Sequence, residues 1–194
     1  MPTPNRYYDR NFDADAVKIL PGEYYVTQSL LLVTVLGSCV AACLRDTSTG
    51  ISGMNHFMLP GEDAEPGNPA SASARYGVFA MEILINQLIK AGARRDRLVA
   101  KVFGGGAVLD GINIAKVGER NASFVLDFLE RERIPVMAKD LCGPYPRKVY
   151  FFPDNGQVKI RVMKQLHNET IMRRESEYAR QLQQAPVSGD VELF

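Results

Sequence analysis

The chain has 194 residues, 46% of them apolar, with 23 basic and 22 acidic residues and a formal net charge of +1. That length suits one well-packed domain, and a near-neutral charge without a basic patch gives no electrostatic ground for a nucleic-acid partner or an anionic membrane surface. The cysteines, Cys39, Cys43 and Cys142, form an odd set without paired ligand spacing, which argues against a disulfide framework or structural zinc and for a reducing compartment.

In chain order, residues 1–15 are polar and read as a flexible N-terminal arm, with the main domain expected over 16–163. The arm lacks the apolar core of a signal peptide and no later run approaches the length of a membrane span, so no direct membrane insertion is expected. Residues 30–36 read as an apolar strand that enters Leu36-Gly37-Ser38-Cys39-Val40. The turn-forming stretch Arg45-Asp46-Thr47-Ser48-Thr49-Gly50 then separates two apolar runs, which is a hairpin signal. A turn centred between Thr47 and Ser48 sets Arg45 opposite Gly50 and Cys39 opposite His56. Side chains so opposed have Cβ atoms about 4.5 to 5.5 Å apart, whereas a one-residue slip would put them on opposite faces.

Residues 60–69 are a Pro- and Gly-rich loop beginning just past His56, either a solvated connector or a cover for a substrate. Ser71 or Ser73 can cap a helix that turns Tyr76, Phe79, Ala80, Ile83, Leu84 and Leu88 inward and ends at Gly92. Residues 98–103 read as a buried strand ending in Gly104-Gly105-Gly106. No Lys-Ser or Lys-Thr follows as a phosphate loop requires, so these glycines are read as serving a tight turn or a close backbone approach. A second amphipathic helix is expected over 118–133, with Phe124, Val125, Phe128 and Leu129 on its apolar side. Strands follow at 134–138, 149–152 and 158–163, the last two joined by Pro153-Asp154-Asn155-Gly156. Residues 164–194 are expected to form a peripheral helix and a flexible tail: Leu166, Ile171, Met172, Tyr178 and Leu182 make only a broken stripe among charges. His167 reads there as an exposed helix residue, and the tip 188–194 as a frayed end or a short docking motif. The alternation predicts an α/β (α+β) chain, a single layered domain with mixed β-sheets.

The chemistry concentrates at Cys39 and His56. An imidazole beside a thiol can take its proton and leave the thiolate, the nucleophile of cysteine hydrolases. The small residues Gly37 and Ser38 let a substrate approach the backbone, and the N–H groups around Cys39 can form an oxyanion hole. No metal or other cofactor is expected.

Leu36-Gly37-Ser38-Cys39-Val40-Ala41-Ala42-Cys43-Leu44-Arg45-Asp46 with Gly53-Met54-Asn55-His56-Phe57-Met58-Leu59-Pro60 resembles the signature of the CheD family of chemoreceptor glutamine deamidases. Further blocks agree in order: 75–82, Lys101-Val102-Phe103-Gly104-Gly105-Gly106, 117–121, Ile134-Pro135 and 147–151, so that the likeness spans about residues 20–163. The resemblance implies a cytoplasmic enzyme that hydrolyses glutamine side chains of methyl-accepting chemotaxis receptors to glutamate, through a thioester, in chemotaxis adaptation. It implies Cys39 as nucleophile, His56 as general base and acid, and a threonine as the third member. The family threonine lies one residue further from the cysteine, where this chain has Val33, and the candidate here is Thr34. Arg75 and Tyr76 are hinted to face the site. Receptor cytoplasmic helices are the implied substrate and a CheC-type phosphatase a further partner, and the implied fold has mixed β-sheets flanked by helices, similar to that of glutamine-deamidating toxins. Two rival readings use the same residues: another thiol hydrolase such as a small protease, and a non-catalytic module regulating a CheC-type phosphatase.

Overall fold

The computed structural model describes residues 4–60, 72–107, 112–164 and 169–184. Among the described residues ten strands form two five-stranded sheets: β1 (Asn5–Asp9), β2 (Ala14–Lys18), β4 (Leu31–Leu36), β9 (Arg147–Phe152) and β10 (Gln157–Val162) in the order β1-β2-β4-β9-β10, and β3 (Tyr24–Thr27), β5 (Val40–Asp46), β6 (Ser52–Asn55), β7 (Leu98–Gly104) and β8 (Val136–Leu141) in the order β3-β6-β5-β7-β8. Both are mixed, because β2 runs parallel to β4 and β7 parallel to β8. With α1 (Ala72–Lys90), α2 (Ile112–Arg131) and α3 (Glu169–Gln184) around them, this is the expected α+β architecture.

Alternation along the strands builds the layers. Val40, Ala42 and Leu44 of β5 join Met81, Leu84, Ile85 and Leu88 of α1 and Val125 and Leu129 of α2 in one core. Cys39, Ala41 and Cys43 turn the other way, toward Leu32 and Leu36 of β4 and Val149 and Phe151 of β9. The described layers therefore stack as sheet, sheet and helices, with the central strands β5 and β6 of the second sheet buried on both faces and its edge strand β8 largely exposed. Each fully buried Leu or Ile in these layers contributes roughly 1.5 to 3 kcal/mol.

Residues expected in a loose arm instead form a β1–β2 hairpin whose register runs from Asn5 opposite Lys18 to Asp9 opposite Ala14. Asp9 makes that turn by accepting from the Asn11 N–H at 3.0 Å, and Phe12 stacks edge-on against Tyr150 and Phe152. The aromatic anchor lies far away in sequence, which is why local composition reads as an arm.

The β5–β6 hairpin differs from expectation by two residues: Cys43 faces Met54, Leu44 faces Gly53 and Arg45 faces Ser52. The cause is Asp46, fully buried, whose carboxylate accepts from the N–H groups of Ser48 at 2.7 Å, Thr49 at 3.0 Å and Arg94 at 2.8 Å. With Gly50 at φ +73°, this closes a wider loop than a two-residue turn. A shift of two, unlike a shift of one, returns every side chain to its predicted face.

The second helix begins at Ile112, not at 118. Glycine is a poor interior helix residue, but a Cβ at Gly118 would lie 2.4 Å from the Gly105 carbonyl oxygen, so its place is set by packing. The last hairpin forms as predicted, with Gly156 at φ +72° donating its N–H to the Phe152 carbonyl at 2.8 Å. Residues 61–69 of the expected loop, Ser71, His167 and the tip 188–194 lie outside the described residues.

Candidate active site

Cys39 sits on the crossover between the two sheets. β4 ends at Leu36, Gly37 and Ser38 turn the chain, and Val40 opens β5 in the other sheet. Val40 and Phe57 exchange backbone hydrogen bonds of 2.9 Å in each direction, so Cys39 and His56 flank that bridge as diagonal neighbours on the inter-sheet face. They are not directly opposed, as the shifted register requires.

Thr34 approaches from the opposite sheet. It shares the inward face of β4 with Leu32 and Leu36, whereas Val33 points outward beside Leu31 and Tyr150. The Thr34 hydroxyl donates to the Ile19 carbonyl at 2.8 Å and lies 2.8 Å from His56 Nδ1. Its single proton is spent on Ile19, so Nδ1 must carry a hydrogen and donate to Thr34. This leaves Nε2 as the basic nitrogen, and Nε2 is buried without a hydrogen-bond partner among the described residues. Backbone bonds anchor the main chain of His56: its N–H donates to the Glu23 carbonyl at 3.0 Å and its carbonyl accepts from the Gly22 N–H at 2.8 Å.

The turn at Gly37 and Ser38 aims three consecutive N–H groups at one point. They meet the Glu175 carboxylate of α3: Gly37 N–H at 2.8 Å and Cys39 N–H at 3.2 Å reach Oε1, while Ser38 N–H at 2.8 Å and Ser38 Oγ at 2.7 Å reach Oε2. Successive N–H groups curled in this way make an anion-binding concavity. The Cys39 sulfur, a ring nitrogen of His56 and a carboxylate oxygen of Glu175 lie within 4.8 Å of one another, all three residues buried. Burial pushes the Cys39 thiol well above its ordinary range and the facing carboxylate pushes it further. Burial also lowers His56, against the opposing pull of Glu175. The resting pair is thus neutral thiol and neutral imidazole.

Behind the turn, backbone packs directly on backbone. Gly105 N–H donates to the Cys39 carbonyl at 2.8 Å and Gly106 N–H to the Gly37 carbonyl at 2.7 Å. Asn121, fully buried on α2, donates to the Ser38 carbonyl at 2.9 Å and accepts from the Leu59 N–H at 2.9 Å. It ties the thiol turn to the segment carrying His56.

All five residues expected at the site, Thr34, Gly37, Ser38, Cys39 and His56, are thereby brought together. Of the two hinted neighbours, Arg75 is exposed and Tyr76 shares a short hydrogen bond with Tyr178 of α3. Cys43 lies in the inter-sheet core and Cys142 in a turn. The residue missed is Glu175. Its helix was expected to be peripheral, but Glu175 is 3% exposed and Tyr178 9%. The spacing 171, 175, 178, 182 is a helical stripe whose one charged member marks the site.

A buried Cys–His pair with convergent backbone donors, set in an α+β fold, is the arrangement of the thiol hydrolases as a class. Residues 58–162 match the family described as CheD, chemotactic sensory transduction. Relatives cover nearly the whole chain. The probable chemoreceptor glutamine deamidase CheD of Thiobacillus denitrificans is 62% identical over 98% of this chain and 95% of its own length. The like-named proteins of Shewanella oneidensis and Janthinobacterium sp. are 60% and 61% identical, each over 98% of this chain and over 93% and 94% of their own lengths. The chain belongs to the CheD family.

Proposed function

We propose that this protein hydrolyses glutamine side chains of chemoreceptors to glutamate, as a cytoplasmic protein-glutamine glutaminase serving chemotaxis adaptation. The observation that carries the reading is the His56 Nε2 without a hydrogen-bond partner among the described residues, close to Cys39, whose turn offers N–H groups that already cradle the carboxyl group of a glutamate side chain. Near-full-length identity to relatives named as deamidases supports the substrate.

His56 Nε2 takes the thiol proton, and Cys39 Sγ attacks the glutamine carbonyl carbon. The oxyanion is held by the Gly37, Ser38 and Cys39 N–H groups. The imidazolium returns its proton to the departing ammonia, leaving a thioester. Neutral His56 then activates water, which hydrolyses the thioester to glutamate and restores the thiol. Thr34 fixes the tautomer that makes Nε2 the base, a role an aspartate serves in other triads. A glutamine arriving on a receptor helix is recognised by its side-chain amide, while a CheC-type phosphatase is a further partner. The free cysteines fit a reducing compartment. Among the described residues no helix is long and apolar enough to cross a membrane.

Peptide mass spectrometry of a chemoreceptor cytoplasmic fragment tests the reading. Deamidation adds about 1 Da per site and releases ammonia without cutting the chain. A cleaved fragment would favour a protease, and an unchanged fragment across several receptors a binding module.

Thr34→Val keeps the shape and removes the hydroxyl. It should lower kcat by on the order of tenfold to a hundredfold, as loss of a group that orients a functional histidine does, while Thr34→Ser retains most activity. An unchanged kcat in the valine variant would remove Thr34 from the mechanism.

A further inference from the structure

The cradle that a substrate carbonyl must enter is filled by the chain itself. Glu175 brings its carboxylate to every N–H of the Gly37–Cys39 turn and to the Ser38 hydroxyl. A carboxylate is buried at this level only when its oxygens are well satisfied, and four donors satisfy this one. The helix that carries it is polar on its outer side and is seated by a short apolar stripe, with Ala179 and Leu182 packed against the inter-sheet core. Tyr178, one turn on, packs on Gly22 and hydrogen-bonds Tyr76, and Ile171 lines a cavity of about 260 Å³ with His56, Ile19 and Val35. Arg173 and Glu177 pair with each other on the exposed side. Thus α3 presents to Cys39 a glutamate on a helix, which differs from a helical glutamine substrate only where the reaction itself makes the change.

We infer that α3 is an internal product: Glu175 occupies the position of the glutamate that the site generates, and turnover requires α3 to withdraw so that a receptor helix can take its place. This rests on the deamidase reading of the site. The neutral state of the Cys39–His56 pair under the facing carboxylate agrees with a resting form. Since α3 and substrate use the same donors, α3 competes with substrate. The competent fraction of the enzyme, and with it the apparent affinity for substrate, is reduced by the population of the docked helix.

The docked pose also makes α3 a substrate once residue 175 is a glutamine. In Glu175→Gln the side-chain oxygen takes the place of Oε1 against the Gly37 and Cys39 N–H groups; the amide nitrogen takes the place of Oε2, where it donates to the Ser38 hydroxyl while the Ser38 N–H gives up its acceptor. Attack by Cys39 Sγ on the amide carbon forms the thioester and expels ammonia, which leaves with the proton held by His56. Water then cleaves the thioester, residue 175 becomes glutamate and the thiol is restored.

Two measurements test the inference. First, purified Glu175→Gln is followed by peptide mass spectrometry beside Cys39→Ala/Glu175→Gln. Residue 175 should gain about 1 Da in the former and stay an amide in the latter. Second, Glu175→Ala, with circular dichroism confirming its fold, is compared with the unaltered protein on a receptor fragment. KM should fall on the order of tenfold or more with kcat little changed, as removal of a competitor predicts. If the unaltered enzyme deamidates receptors while the Glu175→Gln variant keeps its amide and Glu175→Ala leaves KM where it was, the internal-product pose is wrong and the deamidase reading stands. If neither the receptor nor the amide introduced by Glu175→Gln is converted, both fall together. Conversion at residue 175 with no receptor turnover would uphold the pose and leave only the external substrate misassigned.

Discussion

Replacing Cys39 by alanine should lower receptor deamidation by about 10⁴- to 10⁶-fold, and replacing His56 by alanine should cost nearly as much. The double variant should be scarcely worse than either single one, because groups that act as a unit in covalent catalysis do not lose activity additively. The physical ground is the hydrogen-bond chain from the Ile19 carbonyl through the Thr34 hydroxyl to His56 Nδ1, which leaves Nε2 as the basic nitrogen of the imidazole. Quantitative mass spectrometry of the receptor fragment reads the loss, and thermal unfolding shows that each variant is folded. A mass gain that survives in Cys39→Ala would overturn the mechanism. A His56→Ala loss smaller than about tenfold would mean that the thiol loses its proton by another route.

The second large effect is on stability. Gly104→Ala places a Cβ at φ +111° and only 2.1 Å from the Cys39 carbonyl oxygen, with the Val40 Cα at 3.0 Å. No rotamer relieves this, since both obstacles are backbone. The variant should lose at least about 3 kcal/mol, which for a chain of this size lowers Tm by roughly 6 to 12 °C. Gly50→Ala provides the control, because Gly50 is also left-handed, at φ +73°, but its Cβ would meet nothing closer than an Arg45 side-chain nitrogen at 3.5 Å. There only the conformational strain of about 1 kcal/mol applies. Equal shifts in the two variants would show that the Gly104 turn yields easily. The folded fraction of Gly104→Ala should also be poorly active, because the displaced carbonyl belongs to the nucleophile.

Most of the architecture is visible in the amino-acid pattern where segments are long or punctuated. The α1 stripe, the Gly-rich stop after β7 and the Pro153–Gly156 turn announce themselves locally. The β1–β2 hairpin does not, because Tyr7 and Phe12 find their partners in Tyr150 and Phe152, more than a hundred residues on. Within the hairpin that leads to His56, the face of each residue follows from alternation, but the register depends on Asp46 folding its carboxylate over the turn, which spacing cannot show. Thr34 is separable from Val33 once the strand's inward face is known. Glu175 stood in plain view as a charge in an apolar stripe. Its meaning depends on three N–H groups that converge only after the chain has folded.

The proximity of Thr34 and His56 belongs to neither sheet alone. Thr34 comes from β4 in one layer and His56 from the residue just after β6 in the other, and the thiol rides on the three-residue step from β4 to β5. The 2.8 Å contact is therefore a gauge of the spacing between the layers, set by Leu32, Leu36, Met54 and Phe151 in the interior beneath it. A loosening of that interior too slight to melt any helix would open the gauge and free the imidazole to turn. Warming should accordingly silence this protein while its helices are still intact, with catalytic alignment the most heat-sensitive property of the molecule.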